Sequence, residues 1–378
     1  MAEQVHRGLD GIVVTESSLS RVDGDVGQLI YRGYPIETLA NDASYEEVLH
    51  LLWNGHLPDA SELAAFERAL VADRAVDPTV LSVVETLADA DEAPMAALRT
   101  AVSSLSSTRT DGKQTVGSMD DAKDHARRIT AKLPTILAAF DRYRNGHDPI
   151  APRDDLSHAA NFLYMLTGEE PDAVAVETLD TALVLHADHG INASTFSAIV
   201  TASTLSDIYS AVTSAIGTLA GPLHGGATQN VMEMLLTIDE SEQSPDEWIR
   251  DAIANEQLVP GFGHRVYDVK DPRAYILGEM SESLGDVTGD RKWFEYSQTI
   301  EDVMVDITGI PPNVDFYSAT TYYQMGIAPD LFTPIFAVSR VGGWTAHVFE
   351  QYEDNRIMRP RGRYIGPESQ EFVPLPER

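Results

Sequence analysis

The chain has 378 residues and no cysteine, and its 59 acidic residues against 27 lysines and arginines give a formal net charge of −32. The length suits one large domain or two medium ones, and the lack of cysteine excludes disulfides, thiolate metal sites and a cysteine nucleophile. The charge opposes binding to nucleic acid and to anionic membranes. No apolar run reaches the roughly 18 residues of a membrane span, and the amino terminus lacks the apolar core of a signal peptide. We therefore expect a cytoplasmic protein.

The acidic residues are scattered along the sequence and do not form a block. So large a charge destabilises a compact chain by self-repulsion. Molar salt screens this repulsion because the Debye length falls to ~3 Å at 1 M. The composition predicts a halophilic protein adapted to a cytoplasm at molar salt, and the alternative is an ordinary acidic protein that keeps its fold in dilute buffer.

The predicted elements are almost all helices. The first 40 residues are rich in Gly, Val and Asp, which is typical of short strands and turns. Capping boxes then mark two helix starts, Ser44 with Glu47 and Asp59 with Glu62. Further helices are predicted over 78–88, 94–107, 119–144, 155–167, 172–188, 193–205, 207–219, 227–238, from 244, 271–284, 290–308, 314–325 and 333–353. The sequence therefore predicts a mainly α, multi-helical fold with a short β-rich amino-terminal segment.

Histidines occupy tight polar or glycine-rich turns three times between residues 185 and 273. The motifs are His186-Ala-Asp-His189-Gly, Gly-Pro-Leu-His224-Gly-Gly and Gly-Phe-Gly-His264-Arg-Val-Tyr. Glycines let a ligand approach the backbone closely. A histidine just before a helix, as predicted for His224, is held neutral by the positive end of the helix dipole. A neutral imidazole can donate a hydrogen bond to an enol or enolate oxygen. The same argument applies to His264, and the alternative for each is a satisfied structural histidine.

Two arginines and an acid accompany these turns. Arg265 and Arg273 follow His264, and arginine suits bidentate recognition of carboxylate or phosphate. Asp315 stands at a predicted helix start, where it is either a cap or a general base in a partly dry cleft. Arg340 interrupts an apolar helix pattern and, if buried, needs an anionic partner.

Structural roles are also open to Asp271 and to the arginines near the carboxy terminus. Asp271 precedes a proline and is predicted to cap a helix. Arg359, Arg361 and Arg363 cluster in a tail predicted to be extended from residue 356. They form either a solvated basic segment or an anion clamp that reaches a neighbouring subunit.

The His186-Ala-Asp-His189 turn also raises the possibility of a metal-dependent hydrolase. The metallohydrolase pattern His-x-His-x-Asp-His would require a histidine where Val184 stands. With no cysteine ligand either, we expect no metal at this turn.

Together the motifs resemble those of the citrate synthase family. The resemblance rests on Gly221-Pro-Leu-His-Gly225, Gly261-Phe-Gly-His-Arg-Val-Tyr267 with Asp271-Pro-Arg273, Asn313-Val-Asp315, Ser339-Arg340 and Arg359-Pro-Arg361, in the family's order and spacing. The His186–His189 turn and the amino-terminal Val-Asp-Gly and Tyr-Arg-Gly-Tyr pieces also fit. The match covers nearly the whole chain.

The resemblance implies a two-domain, nearly all-helical fold that works at least as a homodimer. A large domain would comprise residues 1–224 and 326–378, the latter with a carboxy-terminal arm. A small domain would be inserted at 225–325, and the cleft between the two would close over oxaloacetate. The activity implied is that of an acyltransferase of the citrate (Si)-synthase type in the tricarboxylic acid cycle, with acetyl-CoA as co-substrate and no cofactor.

The resemblance also implies residue roles. Asp315 would remove a methyl proton from acetyl-CoA, His224 would donate a hydrogen bond to the enol oxygen, and His264 would polarise the ketone of oxaloacetate. Citryl-CoA would then be hydrolysed. The substrate carboxylates would be bound by His189, Arg273, Arg340 and Arg359, the last supplied by the other subunit, and the phosphates of coenzyme A by Arg265 and Arg361.

Two alternatives remain besides the metal-dependent hydrolase. A 2-methylcitrate synthase, which uses propionyl-CoA, would share all these motifs, since one methylene changes binding by only ~1–3 kcal/mol. An acidic helical scaffold without activity would leave the histidine turns unexplained, and its melting temperature would not respond to oxaloacetate.

Overall fold

The computed structural model describes residues 5–9, 11–108, 115 and 117–378, which are mainly helical. The α-helices of this part of the chain are α1 (Ile36–Asp42), α2 (Tyr45–Asn54), α3 (Ala60–Asp73), α4 (Pro78–Asp89), α5 (Pro94–Leu105), α6 (Met119–Arg144), α7 (His158–Thr167), α8 (Ala173–His186), α9 (Ala193–Ser203), α10 (Ile208–Leu219), α11 (Ala227–Glu240), α12 (Pro245–Ala254), α13 (Pro272–Thr288), α14 (Lys292–Thr308), α15 (Val314–Gln324) and α16 (Phe332–Glu353). Short 3-10 helices occupy Arg7–Leu9, Ser106–Thr108, Pro329–Leu331 and Leu375–Glu377. The predicted fold class is confirmed.

The amino-terminal β segment is a small antiparallel sheet. Its strands are β1 (Ser20–Asp23), β2 (Gln28–Tyr31) and β3 (Tyr34–Pro35), in the order β1-β2-β3. In β2 alternate residues are buried, with Leu29 and Tyr31 facing inwards, as the two-residue period of a strand requires. The sheet therefore presents one apolar face to the helices.

Most predicted helices have the predicted starts because their signals are local. The Ser44–Glu47 and Asp59–Glu62 capping boxes are both formed, and Asp271 caps α13 by accepting from the Arg273 N–H at 3.0 Å. The prediction of strands and turns up to residue 40 is wrong at α1, which starts at Ile36. This helix has no side-chain cap and is held by burial of Ile36, Leu39 and Ala40, a tertiary effect that propensity does not reveal.

Helix α16 lies at the centre of the core. Nearly every residue from Phe332 to Phe349 is buried, and the helix packs against α2, α6, α8, α9 and α10. The last turn of α8 and the turn after it lie along α16, where the Gly343 N–H donates to the Ala187 carbonyl oxygen at 3.0 Å. The first histidine motif is thereby fixed against the most buried helix.

Helices α11 to α15 pack largely among themselves. α15 contacts α11, α13 and α14, and α12 contacts α14, while α13 also reaches α1 and α8. The His224 turn leads into this group, and Asp315 lies within it. Among the described residues, no helix combines the length and the apolar character needed to cross a membrane.

Candidate active site

The His186–Gly190 turn is held by hydrogen bonds from the sheet and from α16. The Tyr31 hydroxyl donates to the Asp188 carbonyl oxygen at 2.7 Å. The fully buried Asp188 carboxylate binds Ser20 through Oδ2 and His347 through Oδ1, the latter at 3.1 Å. Burial alone would raise the pKa of Asp188, but His347 and these hydrogen bonds lower it, so the carboxylate stays ionised. Asp188 is thus a structural anion that fixes the turn.

His189 projects from this turn towards the glycine-rich loop. Its Nε2 lies 3.2 Å from the Tyr267 hydroxyl, and its ring centre lies 5.4 Å from that of His264. Burial lowers the pKa of His189 well below its usual value, and the charges of Arg273 and Arg340 lower it further. Two of the three sequence motifs therefore meet, and His189 is neutral at pH 7.

The glycine-rich loop is paired with the segment before α15. The Gly263 N–H donates to the Pro311 carbonyl oxygen at 3.0 Å, and the Asn313 N–H donates to that of Gly261 at 2.9 Å. Gly261 has φ +84°, and a Cβ there would lie 2.8 Å from Phe316, so only glycine fits. This pairing brings the His264 loop to the start of the helix that carries Asp315.

The His264 ring has a defined tautomer. Its Nδ1 accepts from the backbone N–H groups of Val266 at 3.0 Å and Tyr267 at 3.1 Å. Burial, followed by the charge of Arg273, lowers the pKa of His264 to about 4. The ring is therefore neutral at pH 7, and with Nδ1 acting as acceptor its proton is on Nε2.

His224 has the opposite tautomer. Its Nε2 accepts from the Ser194 N–H at 3.2 Å and lies 2.8 Å from the Ser194 hydroxyl, which the Trp344 indole N–H also contacts at 3.0 Å. Burial, followed by the charge of Arg340, lowers the pKa of His224 to about 4. The neutral ring therefore carries its proton on Nδ1. As predicted, His224 lies in the turn just before a helix, here α11.

Asp315 does not cap its own helix. Asn313 is the N-cap of α15 and accepts from the Asp315 N–H at 3.0 Å. The Asp315 carboxylate instead accepts from the Thr228 hydroxyl, at 2.5 Å, on α11. Burial raises the pKa of this acid above its usual value, which makes the ionised form a stronger base.

Arg273 and Arg340 are both buried. Arg273 forms two bonds to Asp271, from Nε at 3.0 Å and from Nη2 at 2.7 Å. Arg340 donates through Nε to the His186 carbonyl oxygen at 2.5 Å, and burial lowers its pKa to about 10, so it remains charged at pH 7. Among the described residues its terminal nitrogens have no hydrogen-bond partner. Both cations lower the pKa of His189, while Arg273 also lowers that of His264 and Arg340 that of His224.

The remaining predicted site residues lie elsewhere in this chain. Arg265 is exposed, and its Nη2 lies 3.8 Å from where a Cβ on Gly8 would stand. Arg359 and Arg361 are exposed in the carboxy-terminal tail. Within one subunit, the structure therefore gathers His189, His224, His264, Arg273, Arg340 and Asp315 around one region and leaves these three arginines at the surface.

Sequence reasoning missed several residues that set the chemistry of the site. Ser194 fixes the tautomer of His224, and Thr228 binds the Asp315 carboxylate. Thr228 lies in the first turn of α11, and its partner Asp315 is 87 positions away, so no local pattern pairs the two. Ser194 and Tyr267 make contacts with residues 30 and 78 positions away, which no local pattern reveals.

The geometry of the His186 turn does not support the hypothesis that this turn binds a metal ion. The Nδ1 of His186 lies 2.7 Å from the Ala182 carbonyl oxygen, and Asp188 is committed to Ser20 and His347. These side chains do not converge as ligands with His189. Within the described part of the chain, the group of three or more ligating side chains that meets metal-site distances lies at residues 50–62.

Comparison with known proteins identifies the family. The sequence model "Citrate synthase, C-terminal domain" matches residues 8–361. A citrate synthase of Haloferax volcanii is 60% identical over the full length of both chains. The crystal structure of citrate synthase from Pyrobaculum aerophilum has a TM-score of 0.92 at 41% identity, covering 99% of this chain and 95% of that one. The chain belongs to the citrate synthase family.

Two other matches bear on the reaction. The citrate synthase of Thermoplasma acidophilum, solved as a ternary complex with carboxymethyl coenzyme A and oxaloacetate, covers both chains fully at 31% identity and a TM-score of 0.92. A 2-methylcitrate synthase of Mycobacterium tuberculosis is 42% identical over 96% of this chain, well below the 60% of the Haloferax enzyme. The protein is an acyltransferase with citrate synthase activity.

Proposed function

We propose that Asp315, His224 and His264 catalyse successive steps in the condensation of acetyl-CoA with oxaloacetate. Asp315 removes a proton from the methyl group of acetyl-CoA, and the Nδ1–H of His224 donates to the enolate oxygen that develops. The Nε2–H of His264 donates to the ketone oxygen of oxaloacetate, and the nucleophilic carbon attacks the polarised carbonyl. Hydrolysis of citryl-CoA then gives citrate and coenzyme A.

The observation that carries this proposal is the fixed tautomer of each histidine. Backbone N–H groups bind the Nδ1 of His264 and the Nε2 of His224. Each ring is therefore a neutral donor through its other nitrogen, without rearrangement during the reaction. A neutral donor stabilises a developing oxyanion without placing a full positive charge beside the buried arginines.

Arg273, Arg340 and His189 bind the substrate oxaloacetate. Arg273 and Arg340 bind the carboxylates of oxaloacetate together with His189, and each charge-assisted bond contributes about 1.5–3 kcal/mol. Asp271 holds the Arg273 guanidinium in place. Residues 225–325, which contain α11 to α15, form the smaller domain. This domain closes over oxaloacetate.

Arg359 acts in the site of a neighbouring subunit of a homodimer. The adjacent Met358 N–H donates to the Ser203 hydroxyl at 3.0 Å, and the Asn355 side-chain amide donates to the Ser203 carbonyl oxygen at 3.2 Å. Ser203 ends α9, nine residues and so about 14 Å from Ser194 in the His224 site. The exposed Arg359 thus follows a segment that is anchored at the end of α9 far from its own His224 site. Arg361, with Arg265, contacts phosphates of coenzyme A.

The net charge and one of the relatives support a proposal about the cellular setting. The net charge of −32 and the full-length match to a Haloferax enzyme both support a cytoplasm at molar salt. The preferred substrate is acetyl-CoA, because the 2-methylcitrate synthase match is the weaker one.

The test is thiol release from acetyl-CoA, with and without oxaloacetate, in molar KCl. The cysteine-free chain gives no thiol background. We expect release that requires oxaloacetate, faster with acetyl-CoA than with propionyl-CoA, and a fall in kcat of about 10²–10⁴ in Asp315→Asn. An Asp315→Asn enzyme with an unchanged rate would contradict the role given to the acid, and faster turnover of propionyl-CoA would favour the 2-methylcitrate reaction.

A further inference from the structure

A cluster of side chains that could bind a metal ion lies at the connection between α2 and α3, outside the active site. His50 lies in the second half of α2, His56 in the turn, and Glu62 in the first turn of α3. One ligand atom from each lies within 4.8 Å of the other two. In the described part of the chain, these three residues are the group of His, Asp or Glu side chains whose ligand atoms are close enough together to hold one metal ion.

Both histidines are oriented by backbone carbonyl groups. The Nδ1 of His50 lies 3.1 Å from the His56 carbonyl oxygen, and the Nδ1 of His56 lies 3.3 Å from that of Asn54. A carbonyl oxygen only accepts, so each Nδ1 is the protonated nitrogen and each Nε2 of a neutral ring has a lone pair. Metal-binding histidines are typically held in this way, by a hydrogen bond from the nitrogen that does not bind the ion.

The third ligand is oriented by the capping box of α3. The Oε2 of Glu62 accepts from the Asp59 N–H at 2.9 Å. Its Oε1 lies 3.3 Å from the Nε2 of His56. This is the separation of two ligand atoms on a tetrahedral ion with bonds of about 2.0–2.1 Å. Without a proton or a cation between them, two lone pairs would face each other at that distance.

We propose that the Nε2 atoms of His50 and His56 and the Oε1 of Glu62 bind a divalent metal ion of the zinc class. Two imidazoles and one carboxylate suit zinc, with water completing a tetrahedron. His56 and Glu62 have side chains 56% and 43% exposed, so the ion can enter from solvent, while His50 is buried. A bare ion pair between His56 and Glu62, with His50 only packing against Phe66 and binding the His56 carbonyl oxygen, is the competing explanation.

The ion would connect the end of α2 to the start of α3. Trp53, which lies between the ligands in sequence, donates through its indole N–H to the Gly342 carbonyl oxygen at 3.1 Å and to the Thr345 hydroxyl at 3.0 Å. Both acceptors belong to α16, the helix that carries Arg340. The site is therefore a brace at the back of the helix that supports the active site, and it takes no part in the condensation.

The experiment is titration of chelator-treated full-length protein with Zn²⁺ by calorimetry, and with Co²⁺ by visible absorption. His56→Gln and Glu62→Gln each remove one ligand, and glutamine at position 62 keeps the capping box. His147→Gln is the matched control, since His147 is exposed and lies outside the cluster. We expect one ion per chain, a tetrahedral Co²⁺ spectrum, and affinity at least ~10-fold weaker in both ligand variants but unchanged in the control.

Two results would overturn the proposal. One is saturable binding that is equal in the wild type, His56→Gln and Glu62→Gln, which would place the ion elsewhere. The other is no saturable binding of either metal to the folded wild type, which would leave only the His56–Glu62 ion pair. Circular dichroism of each variant confirms that the compared proteins are folded.

Discussion

Two opposing influences act on the Asp315 carboxyl group. Burial raises its pKa, and the Thr228 hydroxyl, 2.5 Å from Oδ1, lowers it. The proposed base must be ionised, so the rate falls as the pH falls through this pKa. Thr228→Val removes the hydrogen bond while keeping the side-chain shape. We expect the acidic limb of kcat to move to higher pH.

The measurement for Thr228→Val is the pH profile of kcat from thiol release. Thr130→Val is the control, because the Thr130 hydroxyl is buried without a hydrogen-bond partner among the described residues. An acidic limb at the same pH in Thr228→Val as in the wild type would show that this bond does not tune the base.

Asp180 is a half-buried acid away from the site. Its Oδ2 accepts from the Tyr45 N–H at 3.1 Å. Burial, followed by the charge of Glu46, raises the pKa of Asp180 to about 8. The folded state therefore holds a proton that the unfolded chain releases near pH 4. Stability from this group is fully present below that pH and is lost as the pH rises towards 8.

Asp180→Asn should remove this pH dependence. The amide oxygen can still accept from Tyr45, and no ionisation opposes folding. We expect the melting temperature at pH 9 to rise by about 2 °C or more, with a shallower slope between pH 5 and 9. Glu177→Gln, an exposed acid on the same helix, removes the same charge and should show neither effect. Parallel curves for Asp180→Asn and the wild type would contradict the assignment.

At the scale of elements, helix α16 and the His186–Gly190 turn approach each other as closely as glycine allows. A Cβ on Gly343 would lie 2.4 Å from the Ala187 carbonyl oxygen and 2.5 Å from an Asp188 carboxylate oxygen. Gly343→Ala must therefore separate the turn from the helix, at a cost of about 1–3 kcal/mol. His189 and Arg340 lie on opposite sides of this contact, so we expect kcat/KM for oxaloacetate to fall at least ~10-fold.

Gly217→Ala is the matched control for this contact. Gly217 also lies inside a helix, α10, but a Cβ there would meet only Arg99 Cδ, at 3.5 Å. Alanine there should stabilise the fold by about 0.5–1 kcal/mol. The melting temperature and kcat/KM for oxaloacetate are measured for both variants. A Gly343→Ala enzyme as stable and as active as the wild type would contradict the close packing of α16 against the turn.

Helix starts were predictable where the signal is local. The capping residues of α2, α3 and α13 lie within three residues of the N–H groups that they bind, so the sequence states them directly. The start of α1 was missed because its support comes from burial. The histidine and arginine motifs also selected side chains that the fold brings near one another, such as His189 and His264, since glycine-rich turns are local features.

The tautomers of the site histidines and the partner of the Asp315 carboxylate were not predictable. They depend on contacts between distant parts of the chain, such as Ser194 with His224 and Thr228 with Asp315. The helix dipole argument for a neutral His224 gave the right charge, but burial and Arg340 are the causes found in the structure. A sequence names the groups of a site, whereas their environment is known only once the chain is folded.

At the scale of the whole molecule, the proposed dimer makes a prediction about subunit mixing. Arg359→Ala and Asp315→Asn homodimers should each be nearly inactive. If Arg359 acts in the partner's site, a mixed dimer has one complete site, with wild-type Asp315 from one subunit and wild-type Arg359 from the other. Because about half of randomly formed dimers are mixed, the reassorted mixture should recover about a quarter of the wild-type rate.

The mixing experiment requires that subunits exchange. The two variants are therefore unfolded together and refolded in molar KCl, and wild type treated in the same way is the reference. A mixture no more active than its parents, although gel filtration shows dimers, would mean that Arg359 serves its own subunit.

The net charge of −32 sets the response of the molecule to salt. Repulsion among the acidic side chains destabilises the fold at low ionic strength. At 1 M salt the Debye length is ~3 Å, so each charge interacts only with its immediate neighbours. We expect the melting temperature to rise steadily with KCl. Unchanged circular dichroism and melting after dialysis into dilute buffer would contradict adaptation to molar salt.

The same charge acts on the anionic substrates before they reach the buried cations of the site. Oxaloacetate and acetyl-CoA approach through a repulsive field. Arg273 and Arg340 attract them mainly at short range, because Asp271 is paired with Arg273 and the net charge of −32 outweighs both cations at long range. Salt weakens the long-range repulsion more than the contacts inside the site. We therefore expect kcat/KM for oxaloacetate to increase with KCl over the range in which circular dichroism shows the fold intact. A steep decrease over that range would mean that positive potential at the cleft mouth, and not the net charge, governs association.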